Sequence, residues 1–325
     1  MPIANYIHDL DPVLIELFGS LKLRWYGLAY LAGFVAGYYL LRYLADRKLW
    51  VLPAEKAGDF VTYAAFFGVF LGGRIGYMLF YYTTTNGPSW MWQDPLLLLK
   101  VWDGGMASHG AILGLVLFTL FYSKRQNVNW FGLGDGLCVV APIGIFFGRI
   151  ANFINGEIYG QSSTVAWAVK FPKTLLYDQP EASRYNEAMA AAIEVDPSLI
   201  NSEGQLVPFN QILAHSRENP QLLETLGRYL EPRHPAQLYE AIAEGLILFT
   251  ALIVVRLRYP KLPHGVLTGL FFIIYAVGRI ICENYRLSST KDILGIQMGQ
   301  FLSLFMIAMG ITFILVGNKF KQPNS

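Results

Sequence analysis

The sequence predicts an all-α integral membrane protein with seven transmembrane helices and a small mixed α/β insertion. Only 15% of its 325 residues are charged, well below the roughly 25% that is typical of soluble domains. Seven apolar runs approach the roughly 20 residues needed to cross a bilayer. One long polar stretch separates the fourth run from the fifth. We therefore expect lipid to surround most of the chain.

The seven apolar runs define the predicted spans, although a charge interrupts several of them near one end. In chain order they cover residues 25–44, 60–82, 106–122, 131–151, 236–256, 264–282 and 293–316. Residues 1–160 and 236–325 thus form the predicted transmembrane domain. Residues 161–235 form the predicted insertion between spans four and five.

Two segments outside the spans have local patterns of their own. In the insertion, residues 165–171 alternate apolar and polar side chains, which predicts a short strand. Two further segments there have helical patterns, residues 186–193 and 221–230. Before the first span, Asp11 and Pro12 fit a helix N-cap and first helical position. This pair predicts a short surface helix over residues 12–21.

The positions of Lys and Arg predict the orientation, because short basic loops stay in the cytoplasm. The connections after spans one, three and five and the tail after span seven are basic. Between spans two and three, Lys100 is the only basic residue of the connection. We therefore predict that the N-terminus is outside and the C-terminus inside. The basic residues that indicate this are Arg42, Arg47, Lys48, Lys56, Lys124, Arg125, Arg256, Arg258, Lys261, Lys319 and Lys321.

Composition and spacing argue against several functions. A net charge of +2 from dispersed basic residues does not predict a nucleic-acid surface. Cys138 and Cys282 lie in apolar stretches without disulfide, redox or metal spacing, so we interpret them as packing thiols. The histidines have no zinc-ligand spacing. We therefore predict no metal and no cofactor. The first twenty residues contain no Lys or Arg, so we do not expect a cleaved signal peptide.

Polar residues of distant segments are predicted at one depth, near the outer ends of the spans. Arg149 ends span four, and Arg279, Glu283 and Arg286 share one face at the end of span six. His109 lies in the first turn of span three. The other members of this polar layer are Arg24, Tyr26, Arg74, His234, Gln237, Tyr239 and Glu240. One shared site would explain this common depth. A ring of snorkelling and interfacial side chains is the alternative.

The residue types in this layer suggest a phosphate ligand. Two or more arginines in a low-dielectric pocket suit a phosphate, and a phospholipid head group is the phosphate found at this depth. His109 could accept a proton, although a hydrogen-bonded structural histidine is the alternative. Nearby glycines permit either close helix packing or backbone contact with a ligand. They are Gly104, Gly105, Gly110, Gly148 and Gly156.

Four motifs resemble those of the prolipoprotein diacylglyceryl transferases. The most specific is GRIANFINGEIYG at 148–160. The others are WDGGMASHG at 102–110, HPAQLYEA at 234–241 and the series Arg279, Glu283 and Arg286, with Tyr26 matching an early tyrosine of the family. The chain departs from the family pattern at Ser108, Ala111, Ala151 and Gln161, and its segment 174–230 is longer than expected.

This resemblance implies a multi-pass enzyme of the bacterial inner membrane, with its N-terminus and active site on the periplasmic side and its C-terminus in the cytoplasm. It implies that phosphatidylglycerol donates its diacylglyceryl group to the lipobox cysteine of a preprolipoprotein signal peptide, which releases glycerol phosphate. The implied catalytic residues are His109, Arg149 and Arg279. The implied substrate-binding residues are Tyr26, Asn152, Asn155, Gly156, Glu157, Tyr239, Glu283 and Arg286.

Two other classes compete with this interpretation. A transporter also lines its path with charged residues, but it would need polar residues that continue to the cytoplasmic side, and related halves are typical of that class. A structural assembly protein would not need the mixed polar layer. For the long segment 174–230, we expect either a flap that docks the signal peptide or an insertion without a role.

Overall fold

Long apolar helices make up most of the computed structural model, which describes residues 5–18, 21–89, 93–100, 105–287 and 297–317. Within these ranges, six helices have the length and composition needed to cross a bilayer. They are α1 (Trp25–Asp46), α2 (Ala54–Asn86), α4 (Trp130–Ile154), α9 (Ala236–Arg258), α10 (Val266–Glu283) and α11 (Met298–Gly317). These helices confirm the predicted class, a mostly α-helical multi-pass membrane protein.

The third predicted span forms a helix that is not among these six. This helix, α3 (Ser108–Gln126), has 19 residues. Polar side chains lie near both ends of this helix, His109 at one end and Lys124 and Arg125 at the other. They make this helix less apolar than the six helices above. The count of seven spans and the orientation therefore stay predictions. Residues 293–296, the predicted start of span seven, lie outside the described residues.

Two asparagines set the tight connection between α3 and α4. Asn127 has a left-handed backbone with a φ of 54°, and its N–H donates to the carbonyl of Lys124. Asparagine adopts this conformation more readily than most residues, so it suits a helix C-terminus. Asn129 then caps α4, since its side-chain oxygen accepts a hydrogen bond of 3.0 Å from the N–H of Gly132.

A buried carboxylate from α4 caps the start of α10. Asp135 accepts hydrogen bonds of 2.8 Å from the backbone N–H groups of Gly265 and Thr268, and another of 2.8 Å from the Thr268 hydroxyl. These N–H groups have no partner within their own helix, because the first turn of a helix lacks preceding carbonyls. Asp135 therefore satisfies this helix end.

Glycines bring α2 and α3 into direct backbone contact. A Cβ atom at Gly110 would lie 2.4 Å from the carbonyl oxygen of Gly72 and 2.7 Å from the Cα of Gly76. A Cβ atom at Gly114 would lie 2.4 Å from the carbonyl oxygen of Gly68. Small residues allow such close approach between membrane helices. At Gly110, the structure thus favours the helix-packing interpretation of the glycine.

The contacts divide the chain into two units. The first contains Met1–Ala32, Gly144–Leu248 and Ile273–Ile307. The second contains Gly33–Ile143, Phe249–Phe272 and Ala308–Ser325. The first unit holds all the predicted site residues except His109, which belongs to the second.

The polar insertion has its own core of helices. Four α-helices form in it: α5 (Thr174–Tyr177), α6 (Tyr185–Val195), α7 (Phe209–Glu218) and α8 (Pro220–Gly227). They bury a cluster that includes Leu175, Met189, Ile212 and Leu222. The two predicted helical segments fall largely within α6 and α8, although α8 ends three residues before the predicted end at residue 230.

A small sheet attaches the insertion to the N-terminal segment. Strand β1 (Tyr6–Ile7) pairs in parallel with β4 (Val169–Lys170), which pairs antiparallel with β5 (Pro232–Arg233). The predicted strand at residues 165–171 is therefore real but only two residues long. The mixed α/β character of the insertion is as expected.

The predicted surface helix at residues 12–21 is wrong. This segment instead forms an antiparallel hairpin of β2 (Val13–Phe18) and β3 (Leu21–Arg24). The Asp11 side chain accepts a hydrogen bond of 2.7 Å from the N–H of Val13, which closes a local turn and does not cap a helix. The branched side chains of Val13 and Ile15 favour the extended backbone that follows.

We predict that the Gly110→Ala substitution weakens the α2–α3 contact. Because the added methyl group would meet backbone atoms that cannot rotate away, we expect a loss of about 1–3 kcal/mol in unfolding free energy. Gly144→Ala is the matched control, since a Cβ there meets no heavy atom within 4 Å. Thermal unfolding of both variants in one detergent measures the difference. Equal stability of Gly110→Ala and wild type would contradict the direct backbone contact.

Candidate active site

Three arginines from α4 and the end of α10 converge on one carboxylate of α9. The Glu240 side chain lies 3.0 Å from Arg149 Nη1, 2.8 Å from Arg279 Nη1 and 2.7 Å from Arg286 Nη1. Arg149 belongs to the last turns of α4, whereas Arg286 lies three residues beyond the end of α10. Residues that are 137 positions apart in sequence, from 149 to 286, therefore meet at a single side chain.

Two further carboxylates complete this arginine cluster, the six residues Arg149, Glu240, Glu244, Arg279, Glu283 and Arg286. Glu244 lies 3.2 Å from Arg149 Nη2 and 3.6 Å from Arg279 Nη1. Glu283 lies 2.9 Å from Arg279 Nη2 and 3.7 Å from Arg286 Nε. Three positive and three negative groups thus balance, which is required when charges leave water.

The positive and negative groups of the arginine cluster differ in burial. The side chains of Glu240 and Glu244 are fully buried, and that of Glu283 is 7% exposed. The three arginine side chains retain between 17% and 22% exposure. The carboxylates therefore lie behind the guanidinium groups. Each guanidinium has five N–H donors, so the exposed edges can donate to a further anion.

A second hydrogen-bonded group lies at the end of α4. The Tyr26 hydroxyl donates to Glu157 Oε1 at 2.5 Å, and Asn152 Nδ2 donates to the same oxygen at 2.9 Å. Asn152 also contacts the Tyr26 hydroxyl directly. Gln237 Nε2 donates to the Glu157 carbonyl at 2.7 Å. These bonds join the start of α1, the end of α4 and the start of α9 near Arg149.

Asn155 and Gly156 have structural contacts immediately after α4. The Asn155 carbonyl accepts a hydrogen bond of 2.5 Å from Lys173 Nζ. Gly156 has a φ of +59°, which favours glycine, and it packs against the imidazole of His8. Burial lowers the pKa of His8 to about 4, so its neutral ring donates from Nε2 to the Phe153 carbonyl at 2.7 Å.

Tyr239 belongs to an aromatic group at the start of α9. Its hydroxyl accepts a hydrogen bond of 2.7 Å from Trp167 Nε1 and lies 3.1 Å from His234 Nδ1. Burial lowers the pKa of His234, so its neutral ring can accept a hydrogen bond from the Tyr239 hydroxyl. The ring of Tyr285 packs against both His234 and Tyr239.

Two predicted polar residues lie in the second unit. His109 is the second residue of α3 and its side chain is exposed. No hydrogen bond or ion pair links its imidazole to another residue that the structure describes. Arg74 instead has clear partners, because it donates to the carbonyls of Leu97, Leu98, Lys100 and Gly105. Its guanidinium therefore binds the backbone of the 97–100 segment and of Gly105.

Sequence reasoning missed the carboxylates of α9. The predicted polar layer includes Glu240 without assigning it a role, and it omits Glu244. The available signal was their spacing of i, i+4 within an otherwise apolar run, which places both on one helical face. Two acids on one face of a predicted span require cationic partners.

The helices and the arginine cluster define a multi-pass membrane protein with an ionic site built from its apolar helices. The family described as prolipoprotein diacylglyceryl transferase matches residues 12–316. The chain therefore belongs to the prolipoprotein diacylglyceryl transferase family, and it is a transferase.

Curated relatives support this membership over almost the whole chain. A phosphatidylglycerol–prolipoprotein diacylglyceryl transferase of Bdellovibrio bacteriovorus is 36% identical, with 95% of this chain and 93% of the relative covered. Proteins of the same name from Azospirillum brasilense and Sodalis glossinidius are 37% and 38% identical. The match with the Azospirillum protein covers 97% of this chain and 96% of the relative. The match with the Sodalis protein covers 93% of this chain and 91% of the relative.

We predict that Glu240→Gln destabilises the protein strongly. This change leaves the arginine cluster with one uncompensated positive charge, and breaking a buried ion pair costs about 3–5 kcal/mol. Glu224→Gln is the matched control, because Glu224 pairs with Arg228 on an exposed surface. Unfolding in detergent micelles compares the two variants. A Glu240→Gln protein as stable as the control would show that the shared carboxylate does not hold the cluster together.

Proposed function

We propose that the chain transfers the diacylglyceryl group of phosphatidylglycerol to the lipobox cysteine thiol of preprolipoproteins. The bond between the glycerol carbon and the phosphate oxygen breaks, and a bond between that carbon and the cysteine sulfur forms. The products are a thioether and glycerol phosphate. The names of the relatives support the substrates, and the arginine cluster supports the chemistry.

The convergence of three guanidinium groups is the single observation that carries this proposal. Arg149 and Arg279 bind the phosphate through their exposed edges, and Arg286 supports the same pocket. As the carbon–oxygen bond breaks, the phosphodiester becomes a phosphomonoester and gains negative charge. Donors already fixed in place stabilise this charge without reorganising. The buried carboxylates Glu240, Glu244 and Glu283 provide that fixation.

Attack by the thiol needs a proton acceptor. A free cysteine has a pKa of about 8.5, so the thiol is a poor nucleophile at neutral pH until it loses its proton. His109 is our candidate base, and its exposed imidazole supports this role. A structural histidine is the alternative. Tyr26, Asn152 and Glu157 lie at the outer end of α4, beside the phosphate. Asn155, Gly156 and Tyr239 complete the substrate-binding residues there.

The proposed topology has seven spans, with α3 as the third. Its contact with α2 through Gly110 and Gly114 supports this assignment, because the two helices run side by side over several turns. The basic connections support a periplasmic N-terminus and a cytoplasmic C-terminus. With this orientation, the enzyme lies in the bacterial inner membrane and its arginine cluster faces the periplasmic side.

The insertion has two open roles, docking of the signal peptide or none. Its attachment supports docking, since one backbone hydrogen bond connects its first residue to the segment that carries Arg286 and another connects its end to the residue that precedes it. The N–H of Gln161 donates to the Tyr285 carbonyl at 3.0 Å, and that of Gly160 donates to the His234 carbonyl at 2.9 Å. A peptide bound at this base would lie close to the arginine cluster.

We predict that Arg149→Ala and Arg279→Ala each reduce turnover by a factor of at least about 100, the effect of removing one donor to a developing charge. Arg228→Ala, which removes an exposed arginine, is expected to retain full activity. Purified protein with phosphatidylglycerol and a lipobox peptide should give the thioether and glycerol phosphate. Circular dichroism verifies that each variant is folded. Wild-type activity in either cluster variant would contradict the proposed roles.

A further inference from the structure

A large apolar groove runs between α2 and α3, in the second unit. Its volume is about 590 Å³, within the range of small-molecule sites. The walls are apolar side chains, among them Phe67, Ile75, Leu113, Leu117 and Phe121. Leu117 and Phe121 are exposed over more than half of their surface. Gly72, Gly76, Gly110 and Gly114 form its floor, where the two backbones meet.

The shape of the groove fits a hydrocarbon chain. It follows α3 from Gly110 to Arg125, a length of about 22 Å at 1.5 Å per residue. This distance is most of the roughly 30 Å hydrocarbon thickness of a bilayer. An apolar groove of this length suits one acyl chain better than a compact ligand.

Exposed positive charge among the described residues lies at one end of the groove. Arg125 lines that end and forms no ion pair with a described residue. Lys124 is its neighbour, and Lys56 donates to Gln126 at 2.5 Å. The acids Glu55 and Asp59 of α2 are also exposed, so the three cations of these segments outnumber the two anions. The opposite end offers Arg74, whose guanidinium is already bound to carbonyl groups.

We propose that this groove binds a second phospholipid, with one acyl chain between α2 and α3 and an anionic head group against Arg125. This lipid does not react, because its phosphate is bound by Arg125, which is not a member of the arginine cluster. With the proposed orientation, Arg125 faces the cytoplasmic leaflet, whose anionic lipids attract basic side chains. The site therefore selects phosphatidylglycerol over a zwitterionic lipid with the same chains.

Filling the groove tests the acyl-chain part of the proposal. Leu117→Trp and Leu113→Trp each place an indole in the groove, and Leu304→Trp is the control on an exposed face of α11. Native mass spectrometry of protein in detergent with phosphatidylglycerol counts retained lipids. We expect wild type and Leu304→Trp to retain one more lipid than either groove variant. If both folded groove variants retain the wild-type number, the proposal is overturned.

Removing the charge tests the head-group part. Arg125→Gln should bind phosphatidylglycerol about fivefold more weakly, which corresponds to the roughly 1 kcal/mol that one basic residue contributes at an anionic membrane surface. Phosphatidylcholine binding should not change. Equal loss for both lipids, or no loss, would overturn the assignment of the head group to Arg125.

A cluster variant separates this inference from the proposed transfer reaction. Arg279→Ala is expected to lose lipid from the arginine cluster and to retain the groove lipid. If Arg279→Ala also loses the lipid that depends on Leu117, both signals come from one site and the groove is not a second site.

Discussion

Mutual neutralisation of three guanidinium groups by three carboxylates is the constraint on which the membrane part of the first unit depends. A charge removed from water is strongly unfavourable unless an opposite charge is paired with it in good geometry. Arg149 comes from α4, Glu240 and Glu244 from α9, and Arg279 and Glu283 from α10. The ion pairs therefore fix where these three helices meet. Gly299 of α11 leaves room for the Glu283 carboxylate.

The same constraint gives the site its chemical character. Because the carboxylates are buried and the arginines keep an exposed edge, the cluster offers positive charge to a ligand. The bonds from Tyr26 and Asn152 to Glu157 hold the end of α4 beside Arg149. A phosphate that enters this region meets donors whose orientation was set during folding. This is the arrangement needed to stabilise charge on a leaving group.

Much of this structure could be predicted from the sequence, but its pairings could not. Apolar runs located the helices because the bilayer thickness sets how many consecutive apolar residues a spanning helix needs. The common depth of Arg149 and Arg279 suggested a shared site, yet it could not identify Glu240 as their common partner, because pairing depends on how the helices rotate about their axes. The helix predicted after Asp11 and Pro12 was wrong, because the same pair is found in a turn before a strand as well as at the start of a helix.

Binding of the leaving group tests the central claim most directly. Phosphorus NMR can follow glycerol phosphate as folded protein is added in detergent. We expect a saturable change in its resonance with wild type, and binding at least about tenfold weaker, a difference of 1.4 kcal/mol, with Arg149→Ala and with Arg279→Ala. Unchanged affinity in both folded variants would contradict a phosphate site formed by these arginines.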